Sequence, residues 1–259
     1  MSGLTYVEFI ILAAALLYLL TFIFQSIKRP KSLLHIYIIY GLAFCANLFL
    51  VIINWVHNRY VPFISMYQVL TFAALCFPIT SLYTRFATRE IWMEKYFTLC
   101  AGIIMIGSFF NYTELTWYRP PALLSVWFIP HVLMYMIGYP LMIVSFVICI
   151  MRLGGRKSNH ERLDKGIYFV IKIAFPFITA GMLIGAVWAN EIWGHYWSWD
   201  AKENWSLVTW LLYAIYLHCY RSAKMRKFMY VFVILGFFAL IMTWFGINLF
   251  AISENHVYT

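Results

Sequence analysis

Residues 188–218 read WANEIWGHYWSWDAKENWSLVTWLLYAIYLH. They hold six of the chain's 11 tryptophans, at positions 188, 193, 197, 199, 205 and 210. Glu191, Asp200, Lys202 and Glu203 fall in the first half, and long apolar runs flank the segment on both sides. This pattern reads as a connector between two membrane helices, set in the interface where indole rings are half apolar and half wet. An interfacial belt accounts for two or three such tryptophans. It does not account for Trp-Gly-x-x-Trp-x-Trp-Asp followed by Lys-Glu-Asn-Trp, which crowds rings into one short, glycine-hinged piece. A flat surface of stacked indoles with polar hooks suits a large planar ligand.

The rest of the chain is written for the same solvent. It is 64% hydrophobic, 20% aromatic and only 11% charged, with a mean hydropathy of +0.78, which excludes a soluble domain. Apolar runs of roughly 18 or more residues indicate helices, not a barrel. The expectation is an all-α integral membrane protein with about eight transmembrane helices, near 5–25, 35–56, 62–83, 93–111, 127–151, 166–189, 205–221 and 228–250. Pro78 and Pro176 are expected to kink the third and sixth spans. No internal repeat or long polar linker is evident, so residues 1–259 are taken as a single polytopic domain with the tryptophan-rich segment 188–210 inside it. The first run, 6–24, has no Lys or Arg before it and reads as a retained helix, not a cleaved signal. Cys45, Cys76, Cys100, Cys149 and Cys219 fall one apiece in five different runs, with no Cys-x-x-Cys, and read as small buried hydrophobes.

The net charge of +9 follows the membrane and does not mark a nucleic-acid surface. Lys28, Arg29 and Lys31 follow the first span, and Arg85, Arg89 and Lys95 the third. Arg152, Arg156, Lys157, Arg162 and Lys165 follow the fifth, and Arg221, Lys224, Arg226 and Lys227 the seventh. Fifteen of the 19 basic residues therefore lie on one side. Arg59, Arg119 and Lys202 occupy the alternate connectors, while Lys172 sits inside the sixth span within snorkelling reach of the basic side. By the positive-inside rule both termini and the tryptophan-rich connector between helices six and seven lie outside.

The histidines sort accordingly. His57, His131, His195 and His256 fall outside, and His35 and His160 inside. His218 lies in the seventh span, 13 residues beyond Trp205, about 20 Å deep at 1.5 Å per residue. An ionisable group at that depth marks a functional site by default; a neutral histidine bonded to a neighbouring helix is the bland alternative. His131 opens the fifth span and His256 follows the eighth, so the pair brackets the tryptophan segment. Two neutral imidazoles placed there would suit the two faces of a bis-His haem, whereas ordinary interfacial histidines would need no such bracketing. His57 and His195 are weaker candidates for the same role.

The run from Trp193 and Gly194 through Tyr196, Trp197, Ser198, Trp199, Asp200, Lys202, Glu203, Trp205, Ser206, Leu207, Thr209 and Trp210 resembles the WWD signature of the haem-handling proteins of cytochrome c maturation. Tyr213-Ala214-x-Tyr216-Leu217-His218, the stretch PFISMYQVLTF at 62–72 and the ending from Gly246-Ile247-Asn248-Leu249 to His256-x-Tyr258 are similar to the CcsA (ResC) branch. Two positions depart from the pattern. Ala201 stands where proline is usual, and Gln68 where an acidic residue is common.

The resemblance implies that His131 and His256 are axial ligands of an external haem b, and that His218 is a ligand of a second haem site within the membrane. Trp193, Trp197, Trp199 and Trp205 would contact the macrocycle. Asp200 belongs to the same segment and, with Glu203, is expected to shape the loop by capping the seventh helix. The implied function is haem export and presentation in the CcsB–CcsA (system II) cytochrome c synthase. In that reading a CcsB (ResB)-type membrane protein is the partner, and an apocytochrome c with Cys-x-x-Cys-His receives haem through thioether bonds. The setting would be a bacterial cytoplasmic membrane, or a thylakoid membrane for a plastid-encoded chain, with lipid and no nucleic acid as partners. A b-type haem electron carrier, a transporter and an aromatic-belted scaffold are the competing classes. Topology provides the first test. A single cysteine placed at position 195 in a cysteine-free background should react with an impermeant thiol reagent from the outer face, and labelling from the cytoplasmic face alone would reverse the assignment.

Overall fold

The computed structural model describes residues 5–27, 33–112, 121–155 and 159–246, and every regular element among them is helical. The helices are α1 (Tyr6–Ser26), α2 (Leu33–Asn58), α3 (Met66–Thr88), α4 (Glu94–Phe110), α5 (Phe128–Gly154), α6 (His160–Trp193), α7 (Ala201–Arg221) and α8 (Met229–Ile241). A 3₁₀ turn at Pro121–Leu124 precedes α5, another at Arg226–Phe228 leads into α8, and α8 continues as a π turn over Met242–Gly246. Six of these segments are long and apolar enough to cross a membrane, as a multi-pass membrane protein requires. The expected spans 93–111 and 205–221 are α4 and α7. Helix α4, with 17 residues, is about 25 Å long, and α7 opens on a polar turn of Lys202, Glu203 and Asn204. Helix α6, with 34 residues, is about 51 Å long, well beyond the ~30 Å hydrocarbon core.

The chain packs as two compact units, Met1–Arg119 and Pro120–Thr259. In the first, α4 packs against both α1 and α3, and α2 against α1 and α3. Small residues set the approach: a Cβ on Gly102 would come within 2.8 Å of Leu19 Cδ2. Tyr18, Phe77, Phe97 and Met105 fill the interior. A polar cluster ties three helices together. Arg85 Nη1 donates to Glu94 Oε1 at 3.0 Å and to the Tyr37 hydroxyl at 2.8 Å, and that hydroxyl donates to Glu94 Oε2 at 3.2 Å.

Two helix starts in this unit carry reciprocal caps. Thr5 and Glu8 close the first turn of α1, and Ser65 and Gln68 close that of α3. Gln68 Oε1 accepts from the backbone N–H of Ile64 at 3.0 Å and of Ser65 at 3.4 Å. The departure at position 68 therefore has a physical reading: the position is a helix cap, which glutamine and glutamate fill equally well.

In the second unit α5 packs along α6, α7 along α8, and α5 also meets α8. Phe146 stacks on Phe237 with centroids 3.8 Å apart, and Tyr213, wholly buried, lies over Gly236. At the end bearing the basic loop, Arg152 Nε and the Tyr230 hydroxyl both donate to Asp164 Oδ1 at 2.8 Å.

The cap at α3 makes a quantitative expectation. Gln68→Ala should lower stability by about 1–2 kcal/mol, the usual worth of a cap and its buried bonds. Gln68→Glu should stay within about 0.5 kcal/mol, since a carboxylate is favoured at a helix N-terminus. Thermal unfolding of the purified protein in detergent compares the two.

Candidate functional site

The tryptophan-rich segment is shorter as a connector than its composition suggests. Helix α6 continues through Trp188 to Trp193 and ends on Gly194, whose φ of 80° is the left-handed C-cap that glycine adopts without a Cβ penalty. Helix α7 begins at Ala201. Only 194–200 lie between the helices, so Trp188 and Trp193 belong to α6, and Trp205 and Trp210 to α7. The polar residues Asn190 and Glu191 suggest a loop. The helix keeps them because Asn190 O accepts the Gly194 N–H, and Glu191 Oε2 accepts from Ser125 Oγ at 2.6 Å.

Asp200 and Glu203 do what capping chemistry predicts. Asp200 Oδ1 accepts from the Glu203 N–H at 2.8 Å. Glu203 Oε2 reaches back to Ser198 N at 2.8 Å, Ser198 Oγ at 3.1 Å and Asp200 N at 3.4 Å. One carboxylate thus gathers the loop's backbone donors. Ala201 sits at the first helical position, where proline is favoured for its fixed φ and alanine is equally compatible; the second departure is absorbed there. Beside the cap, burial pushes the Lys202 ammonium down to about 8, with Asp200 opposing the shift.

The loop holds its rings open. Trp199 is 68% exposed and has φ 59°, a left-handed backbone rare for a bulky residue. The Asn204 side chain, donating to Trp199 O at 2.7 Å, holds it there. Trp197 meets Trp199 edge to face at 6.0 Å, and its indole Nε1 is a buried donor with no acceptor among the described residues. A bulky residue in a strained conformation beside an orphaned donor is the signature of a surface shaped for something else to complete.

His131 lies in the first turns of α5, and α6 positions it. Its Nδ1 is 2.8 Å from the carbonyl oxygen of Gly181. Because a carbonyl only accepts, Nδ1 carries a proton in this contact. The ring stacks on Trp188 (5.5 Å, 26°) and meets Tyr135 edge to face (5.1 Å, 89°). Trp188 is in turn held by its Nε1 bond to Ala122 O at 2.9 Å and by Phe128 and Trp193 at 5.4 and 5.0 Å. His131, Trp188 and Trp193 therefore form one aromatic row at the end of α6.

Trp188, Tyr135, Gly181 and Gly185 support the site without having been singled out as site residues. The available signal was the spacing Gly181-x-x-x-Gly185, which lets another helix approach closely. A Cβ on Gly185 would lie 2.5 Å from His131 Nδ1 and Cε1, and one on Gly181 would lie 3.2 Å from Tyr135.

The remaining candidates are dispersed. Trp205 lies early in α7 and makes no ring contact among the described residues. His195 is exposed on the loop, and His57 is exposed at the end of α2 in the first unit. His218 is exposed on α7 and lines a cavity of about 280 Å³ with Phe175 and Trp210. Among the described residues its ring makes no hydrogen bond. His256 lies outside the described residues.

Comparison with known proteins follows the same lines. Residues 3–253 match the family described as "Cytochrome C assembly protein". The "Cytochrome c biogenesis protein CcsA" of Chlamydomonas reinhardtii is 33% identical over 212 residues, spanning 75% of this chain and 58% of that protein. Those of Trieres chinensis and Guillardia theta are each 30% identical, spanning 80% of this chain and 81% and 79% of theirs. Among solved structures, "Cytochrome c Heme Lyase CcmF" superposes with a TM-score of 0.66 at 20% identity, covering 94% of this chain and 48% of CcmF. That likeness speaks to the fold.

The seating of His131 is open to direct test. Gly185→Ala should push the imidazole off the Gly181 carbonyl and cost about 1–3 kcal/mol, as overpacking does. Gly107→Ala, whose Cβ would meet nothing nearer than 3.8 Å, should be neutral or stabilising. Thermal unfolding and the histidine side-chain NMR signals report both.

Proposed function

This chain belongs to the cytochrome C assembly protein family, in its CcsA branch, and we propose that it holds and presents haem for attachment to apocytochrome c. The observation that carries this reading is the state of His131. A backbone carbonyl takes its Nδ1–H, and an indole and a phenol fix its plane, an arrangement that orients imidazoles toward metals. The second support is the loop, with its raised Trp199, the unpartnered Trp197 Nε1 and a carboxylate already consumed by loop backbone. The donor set fits a porphyrin: aromatic faces for the macrocycle, and neutral imidazole for the iron.

In this reading His131 and His256 would hold the iron of an external haem b, and Trp193, Trp197, Trp199 and Trp205 would contact the ring. Asp200 supports the segment as the cap of α7. Haem brings the vinyl groups to which the cysteine thiols of a Cys-x-x-Cys-His motif add. The chain's residues would position that edge through the aromatic segment and would hold the iron through imidazole, leaving the bond-forming chemistry to haem and thiol. His218 belongs to a second haem site within the membrane, whose other ligand comes from a CcsB-type partner in a system II synthase. Eight spans with both termini and residues 190–204 outside, in a bacterial cytoplasmic or a thylakoid membrane, complete the proposal.

Ring contact and iron ligation separate experimentally. Trp197→Ala/Trp199→Ala should lower haem content a few tens-fold, at about 1–3 kcal/mol per lost aromatic contact, while residual haem keeps an unchanged low-spin spectrum. His131→Ala or His256→Ala should change the spectrum even where haem remains, and added imidazole should restore part of both haem content and cytochrome c yield. Normal haem content and yield in the tryptophan variant would reduce the segment to an interfacial anchor. An intact bis-His spectrum in both alanine variants would move ligation to His57 or His195.

A further inference from the structure

The cavity on α6 and α7 is polarised along its length. Its upper part is aromatic: Phe175 and Trp210 lie 5.3 Å apart at 31°, and Trp210 Nε1 is fixed by Thr179 Oγ1 at 2.9 Å. Its lower part is cationic, formed by Lys172 on α6 and Arg221 on α7, with His218 between the two parts along α7. Trp210, His218 and Arg221 are spaced 8 and 3 residues apart and so share one stripe of the helix, about 16 Å long. None of the lining residues is acidic.

Two other cations at this end of the unit pair with carboxylates, Arg152 with Asp164 at 2.8 Å and Lys165 with Glu161 at 2.7 Å, while Arg226 and Lys227 lie over the rings of Tyr220 and Phe228. Lys172 and Arg221 have no carboxylate partner among the described residues. Arg221 Nη2 instead donates to the Tyr168 hydroxyl at 3.4 Å, and Tyr168 is held by stacking on Tyr220 at 4.0 Å and 10°. The arrangement gives a rigid aromatic wall, a metal-ligating side chain and, beyond it, two cations left to pair with something else.

We propose that Lys172 and Arg221 are the anchors for the acidic edge of a flat, apolar, dicarboxylic ligand bound in this groove. The inference rests on the haem-handling reading and adds an orientation: the carboxylates point to the basic side of the membrane, and the apolar body lies against Phe175 and Trp210. Electrostatics selects this orientation over its reverse. Turned about, the carboxylates would face two aromatic rings and lose both charge-assisted bonds. The groove would then bind a porphyrin diacid in preference to its ester, with or without a metal.

Metal-free protoporphyrin IX and its dimethyl ester test this on the full chain in phosphatidylcholine nanodiscs, with tryptophan quenching as readout. The Trp197→Ala/Trp199→Ala background keeps the external loop from competing. Adding Lys172→Gln/Arg221→Gln should weaken the diacid about tenfold and leave the ester within about twofold. Adding Lys172→Arg/Arg221→Lys, which keeps both charges, should retain diacid binding. Both anchor residues are exposed, and comparing the two probes on the same proteins cancels their different partition into lipid.

Equal losses for both probes, or none for either, would overturn the anchors. So would loss of the diacid's preference on adding phosphatidylglycerol, which would make the pair a lipid-headgroup site. Since neither probe carries iron, these outcomes leave the ligation reading at His131 standing. Absence of quenching by either probe would instead remove the porphyrin groove itself.

Discussion

The contact between an imidazole and a helix backbone governs the second unit. His131 reaches the Gly181 carbonyl because Gly185, one turn along, offers no side chain in the way. In a membrane interior apolar burial does not favour one helix surface over another, so close approach and hydrogen bonds do the ordering. The approach of α5 to α6 through Gly138, Gly181 and Gly185 sets the plane of His131, the stacking of Trp188 beneath it and the position of Trp193 beyond. The carbonyl also holds a proton on Nδ1, so in the proposed haem site Nε2 would be the ligating nitrogen. A packing motif thereby becomes a statement about coordination chemistry.

The loop between α6 and α7 follows a different economy of donors. Seven residues, 194–200, must turn the chain through a membrane interface without leaving backbone N–H groups bare. Glu203 answers two of those donors, at Ser198 and Asp200, together with the Ser198 hydroxyl, and Asp200 accepts in return from the Glu203 N–H in the first turn of α7. With the carboxylates spent internally, the rings are what the loop presents. This division of labour explains why acidic residues sit in the middle of an aromatic surface without being its contact groups.

Much of this was legible in the chain itself. Apolar runs locate all eight helices, although α6 begins six residues before its expected start at 166 and the expected end of the eighth span, at 250, lies outside the described residues. The Asp200/Glu203 cap could be read from spacing, because capping is a local interaction three residues long. The end of α6 was not. Asn190 and Glu191 look like loop residues until Ser125, 66 positions away, supplies the hydrogen bond that lets Glu191 remain helical. The support of His131 was hidden for the same reason: its carbonyl partner Gly181 and its stacking partner Trp188 lie fifty or more residues distant, and only a glycine pair hinted at a close helix approach there. The π turn at Met242–Gly246 left no mark in composition at all. Local chemistry reads from sequence, whereas long-range complementarity requires the fold.

The left-handed backbone at Trp199 carries a consequence for how this protein can be improved. A bulky residue at positive φ costs on the order of 1–3 kcal/mol, and glycine would relieve it. Any selection for yield or heat resistance of the empty protein therefore favours discarding that indole. Random libraries screened for robustness alone should drift toward small residues at 199, accumulating variants that fold better without the indole. A tryptophan held at this position across such a drift would measure how strongly function, as opposed to folding, is being selected.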